Sequence, residues 1–132
     1  MAIITKWDDN NQTRVLMEFE TSWTWDDLYS ALEKTDAFLA TVENQVDVII
    51  DLEGATIPKD YLKVAQLLLN DPTMAVRPNE GYRVVVGASK WMRTAYNTLQ
   101  KTFSKQLEGR EVLFANDVTQ ARGMIYSMRL SN

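Results

Sequence analysis

The stretch Val46-Asp47-Val48-Ile49-Ile50-Asp51-Leu52-Glu53-Gly54 constrains the fold more than any other. Its β-branched run lacks the polar alternation of a half-exposed strand, so it predicts a strand covered on both faces in a mostly parallel sheet. It leads through Asp51 and a glycine-containing loop to Pro58, which suits the first turn of a helix because its missing N–H has no partner to lose there. In open α/β sheets the loops at the carboxyl ends of strands are where ligands and partners bind. The loop after this strand, and any loop that neighbours it, is therefore the first place to look for function.

The remaining elements can be placed on either side. Ile3 to Trp7 and Thr13 to Phe19 are short apolar runs joined by Asp8-Asp9-Asn10-Asn11-Gln12, a turn-forming segment, and predict a β-hairpin. Thr24 is an N-cap for a helix from Trp25 to about Glu43, with Asp26 and Asp27 at the positive end of its dipole. Leu28, Ala31, Leu32, Thr35, Phe38, Leu39 and Val42 fall on one arc of that helix, its buried stripe. A second helix is expected from Pro58 to about Asn70, stopped by Asp71-Pro72. Tyr82 to Ala88 is another apolar strand, and Ser89 caps a helix from Lys90 to about Leu107. Glu111 to Asn116 is the last strand. Asp117 and Gln120 open a final helix as an acidic variant of the capping box, with Val118, Ala121, Met124, Ile125 and Met128 facing inward. The element order is ββαβαβαβα: one α/β domain over residues 1–132, with a mixed five-stranded sheet, hairpin first and parallel strands after, and four helices. Right-handed crossovers would lay successive strands side by side.

Composition narrows the chemistry. The chain has 132 residues, enough to bury roughly two-thirds of its unfolded surface. It has neither cysteine nor histidine. Disulfides and thiolate chemistry are thereby excluded, and the commonest general base and metal ligand are missing. No metal or cofactor site is expected. The N-terminus lacks the pattern of a signal peptide and no apolar run approaches a membrane span, so a cytoplasmic protein without stable membrane insertion is expected.

Charge is unevenly divided. Residues 1–53 hold twelve acids against Lys6, Arg14 and Lys34, whereas the rest holds six acids and eleven bases. Such polarity favours complementary pairing between copies or with a charged partner. No acid occurs between Gly81 and Leu107, and Lys90, Arg93, Lys101 and Lys105 fall within about a third of the circumference of one helix. This basic stripe suits phosphates of nucleic acid or anionic lipid. The acidic total argues against nucleic acid, for which a basic domain is the usual footprint.

The element order, with Val48-Ile49-Ile50-Asp51-Leu52-Glu53-Gly54-Ala55-Thr56 at the third strand, resembles the STAS domain, whose founding members are bacterial anti-sigma factor antagonists. It is also similar to the related bacterial STAS and CRAL/TRIO lipid-transfer group. The resemblance covers about Ile3 to Tyr126. It implies a (βα)n superhelix with strands in sequential order, helices largely on one side, and a non-enzymatic role in which the domain is bound by a partner or senses a small ligand. Where antagonists of that family carry a phosphorylated serine at the next helix start, this chain has Ile57-Pro58-Lys59-Asp60-Tyr61. Thr56 lies just upstream as a substitute hydroxyl, and Asp60 places a fixed negative charge there.

Three functional readings follow. The first is a protein-interaction or regulatory module acting on a protein partner or as a homodimer. If helices covered one side of the sheet only, Ile49, Val84, Val86, Val112 and Phe114 or their alternates would need cover, from the hairpin and tryptophans or from a second copy. Candidate contact residues are Asp51, Glu53, Thr56, Lys59, Asp60, Ser89 and Lys90. The second is an apolar small molecule or lipid held between helices and sheet. The third, a carboxylate-based enzyme using Asp51, Glu53 or Asp60, has no phosphate-loop, dinucleotide or serine-hydrolase signature behind it, and no catalytic residue is assigned.

Overall fold

A computed structural model describes residues 2–61, 63, 77–102, 104–107 and 112–131. Five strands form one sheet in the order β1-β2-β3-β4-β5: β1 Ile3–Trp7, β2 Arg14–Phe19, β3 Val46–Asp51, β4 Glu80–Val86 and β5 Val112–Ala115. β1 and β2 are antiparallel and every later pair is parallel. This is the mixed sheet, in chain order, that the sequence predicts. Three long helices are described, α1 Trp25–Ala40, α2 Lys90–Thr102 and α3 Val118–Ser131, with a helical turn Ser104–Leu107 after α2. Of the helix expected from Pro58 to Asn70, Pro58 is not helical and Lys59 and Asp60 form a turn, Tyr61 and Lys63 are helical, and residues 62 and 64–70 lie outside the described residues.

Local chemistry sets the helix ends. Thr24 Oγ1 accepts the Asp27 N–H and the Asp27 carboxylate accepts the Thr24 N–H, a complete capping box. At the far end of α1 the Asn79 amide donates to the carbonyls of Leu39, Val42 and Asn44 at 3.0, 3.2 and 3.3 Å. That side chain, just before β4, satisfies orphan groups of a helix about 40 residues earlier in the chain. α3 starts as expected: Asp117 Oδ1 accepts the Gln120 N–H, while the Gln120 amide oxygen accepts the N–H of Asn116, one residue before the cap.

The core has two halves. One holds Ile3, Val15, Met17, Phe19, Val46, Val48 and Val85 against Ala31 and Leu39 of α1, with Met92 of α2, Val112 and Phe114 alongside. The other holds Leu16, Ile49, Val84, Val86 and Ala115 against Ala121 and Ile125 of α3. Consecutive strand residues point to opposite faces, so Val84 and Val85 fall in different halves. α1 and α2 therefore cover one face and α3 the other. The expectation of helices largely on one side is corrected here. Strands apolar on both faces need cover on both, and α3 supplies it for Ile49, Val84 and Val86, while Val112 and Phe114 point into the opposite layer. No second copy is needed to shield these residues.

Two arginines fasten α3 to the sheet. Arg122 grips Asp8 through two bonds of 2.9 and 2.6 Å, and Arg129 Nε reaches Asp47 Oδ2 at 2.6 Å. They stand seven residues apart, about two turns, and so share one side of the helix. Arg14 also donates to Asp8, whose side chain is 3% exposed. Burial works to raise the Asp8 carboxyl, but Arg122 and Arg14 outweigh it and hold it below its ordinary value. Asp47, fully buried, sits where two residues of β4, Gly81 and Tyr82, oppose one of β3. Its Oδ1 accepts the Tyr82 N–H at 2.8 Å, so a side chain completes the ladder at the bulge. A Cβ on Gly81 would run into that carboxylate and the Gln45 amide.

Candidate interaction site

The carboxyl ends of β3, β4 and β5 meet at one edge of the molecule. After β3, Asp51 Oδ1 accepts the Glu53 N–H at 3.0 Å and Gly54 takes φ +76°, turning the chain so that the Ala55 N–H donates to Leu52 and the Thr56 N–H to Thr21. After β4, Gly87 takes φ +79° and lies against Glu53, where a Cβ would collide with backbone. The two loops are therefore packed together. Ser89 Oγ accepts the Met92 N–H at 3.2 Å, the expected cap of α2.

At this edge two aromatic rings stand together. Tyr61 donates its hydroxyl to the Met92 carbonyl at 3.2 Å, and burial pushes its ionisation upward. Its ring meets Trp91 edge-on at 5.2 Å, and Trp91 is 55% exposed. The sequence reading passed over Trp91. The available signal was angular: it lies about 110° around α2 from the stripe centred on Met92, Tyr96 and Leu99, too far to be buried with it.

The seven predicted contact residues are brought to this edge in part. Asp51 is half-buried and spends an oxygen on its own turn, whereas Glu53, Thr56, Lys59, Asp60, Ser89 and Lys90 are exposed. The basic stripe loses one member. Arg93 is half-buried, its guanidinium 5.3 Å from the Phe114 ring centroid and 3.5 Å from Asn116 Oδ1, so it braces β5 instead of facing solvent with Lys90, Lys101 and Lys105. Between these lysines, the hydroxyls of Thr94, Thr98 and Thr102 each donate to the carbonyl four residues earlier. The outer face of α2 is thus cationic and acid-free, with its hydroxyl hydrogens turned inward.

Among the described residues no group of three or more acidic side chains is placed to hold a metal ion, and no helix is long and apolar enough to cross a membrane. Comparison with protein-family models, curated proteins and solved structures finds no match. The class defined by fold and site is an α/β domain with sequential strands and an aromatic pair, Tyr61 and Trp91, at the carboxyl ends of its strands.

Proposed function

We propose that the chain is a non-enzymatic, STAS-like regulatory module that works by being bound, with Trp91 as the anchor of the contact. The observation that carries this reading is the exposure of Trp91 beside a tyrosine fixed by its own hydrogen bond. A large, rigid ring held in place and left open loses little entropy on burial, which is why tryptophan is enriched where binding energy concentrates. The loops around it are ordered by internal hydrogen bonds and two left-handed glycines, so the surface is formed before a partner arrives. Sequential strands fit the STAS pattern. The segment Ile57 to Tyr61 has no serine or threonine, so regulation by phosphate would fall to Thr56, which is exposed.

Photo-crosslinking in cells from a benzophenone amino acid at Thr94, one turn from Trp91, tests this. A discrete crosslinked species that disappears in the Trp91→Ala background is expected. Free monomer alone in both backgrounds would refute the reading.

One observation favours the second reading, an apolar small molecule between helices and sheet. Among the described residues the Thr5 hydroxyl is buried under α1 without a hydrogen-bond partner, an arrangement that costs about 1–3 kcal/mol unless a polar end of such a molecule, as on a lipid, meets it. Native mass spectrometry of the purified protein would show such a molecule as an adduct, and a bare mass would remove it.

A further inference from the structure

α1 and α2 lie on the same side of the sheet and carry opposite charge outward. On α1, Asp26 and Glu33 are exposed, with Lys34 its only base and Asp36 engaged by Arg77; on α2 and the turn after it, Lys90, Lys101 and Lys105 are exposed with no acid. Each helix follows a parallel strand and precedes the next, so both run in the same direction. That combination limits how two copies can face each other. A half-turn about an axis across the helices sets α1 on α1, acid against acid. A half-turn about an axis along the helices sets each α1 against the partner's α2, acid against base, with the directions retained and the contact repeated twice.

The spacing along the helices agrees. At 1.5 Å per residue, Glu33 and Asp36 stand about 10 and 15 Å beyond Asp26, and Lys101 about 16 Å beyond Lys90. With the first turns level, Asp26 faces Lys90, and Glu33 stands about 6 Å short of Lys101, within reach of a lysine side chain, while Asp36, nearly level with Lys101, is already held by Arg77. The same alignment brings Trp91 to the first turn of the opposing α1, where Trp25 and Tyr29 are half-buried.

We infer that a second copy of this chain occupies the outer face of α2, its α1 lying alongside in the same direction so that Lys90, Trp91 and Lys101 of each copy meet Asp26, Trp25 and Glu33 of the other. This rests on the interaction reading and names its partner. Exposed ion pairs contribute little singly and are screened by salt, so the dimer is salt-sensitive and depends on all the pairs together.

Sedimentation equilibrium of the purified protein at about 20 mM and about 500 mM salt tests it. A dimer at low salt and a monomer at high salt are expected. Lys90→Glu/Lys101→Glu and Asp26→Lys/Glu33→Lys, all at exposed positions, should each be monomeric at low salt, and an equimolar mixture of the two should regain the dimer mass because every contact is again acid against base. A wild-type monomer at low salt overturns the inference, as does a dimer that persists in the double variants or a mixture that stays monomeric. A monomer whose mobility shifts with duplex DNA would also overturn it and give the lysine face to phosphate. In any of these cases a Trp91-dependent crosslink to a different protein would leave the interaction reading standing.

Discussion

Replacing Asp47 with alanine removes three acceptor contacts at one buried point. Arg129 Nε bonds at 2.6 Å, the Tyr82 N–H at 2.8 Å and the Gln45 amide at 3.3 Å. Stranding the Tyr82 N–H at the bulge costs about 1–3 kcal/mol, and the charge-assisted bond from Arg129 is worth about 1.5–3 kcal/mol in a buried setting. The Arg129 side chain is 35% exposed, so water compensates it and its share is discounted to about 1 kcal/mol. Asp47→Ala should therefore cost about 3 kcal/mol. Arg129→Ala leaves a carboxylate with no exposure and only neutral donors, at a cost of about 2 kcal/mol. Because the carboxylate that Arg129→Ala strands is absent once Asp47 is alanine, the double variant should cost about 2 kcal/mol less than the sum. Urea denaturation followed by far-UV circular dichroism reads these values, with unchanged m-values as the check on two-state behaviour. A loss below about 1 kcal/mol for Asp47→Ala, or full additivity, would refute the view that Asp47 joins the bulge to α3.

Three further outcomes follow from the same contacts. Asp8 has its folded pKa below the unfolded value of 3.8, so its stabilisation is complete above 3.8 and is lost as pH falls through the lower folded value; Asp8→Asn should flatten the acid limb of the melting-temperature profile below about pH 4, and an unchanged limb would count against the Arg122 and Arg14 contacts. Gly81→Ala should destabilise by at least about 2 kcal/mol because its Cβ displaces the Asp47 carboxylate, whereas Gly123→Ala, with open space around it on α3, should stabilise by up to about 1 kcal/mol; equal effects would contradict the structure. Asn79→Ala should cost about 1–2 kcal/mol and speed amide exchange at the end of α1, and unaltered exchange there would dismiss its capping role.

What could be read from the sequence was whatever depended on neighbouring residues. The run from Val46 to Asp51 announced a covered strand, the Asx-rich turn a hairpin, and Thr24, Ser89 and Asp117 the helix starts. Long-range geometry was harder to read. Arg122 and Arg129 are visibly two turns apart, yet their partners lie 114 and 82 residues away, and no local pattern points to Asp8 or Asp47. Asp47 in particular carried no local sign of its role, because the bulge that uses it is a property of β4. Arg93 was grouped with the lysines by the angular position of its backbone, but its long side chain carries the guanidinium sideways to Phe114. The side of the sheet on which α3 packs was also hidden, since its inward stripe suits either face.

That placement decides which surfaces remain for a partner, and a distance measurement tests it directly. The chain has no cysteine, so spin labels at Thr98→Cys on α2 and Ser127→Cys on α3, both exposed, report one distance without competing sites. With a helix on each face of the sheet, the labels stand about 30 Å apart, two helix diameters and the sheet between them. Pulsed dipolar spectroscopy should return a single distribution near that value. A distribution centred near about 10–15 Å, the spacing of neighbouring helices in one layer, would mean that α3 lies beside α2, that the opposite face is open, and that the partner surface has been assigned to the wrong side.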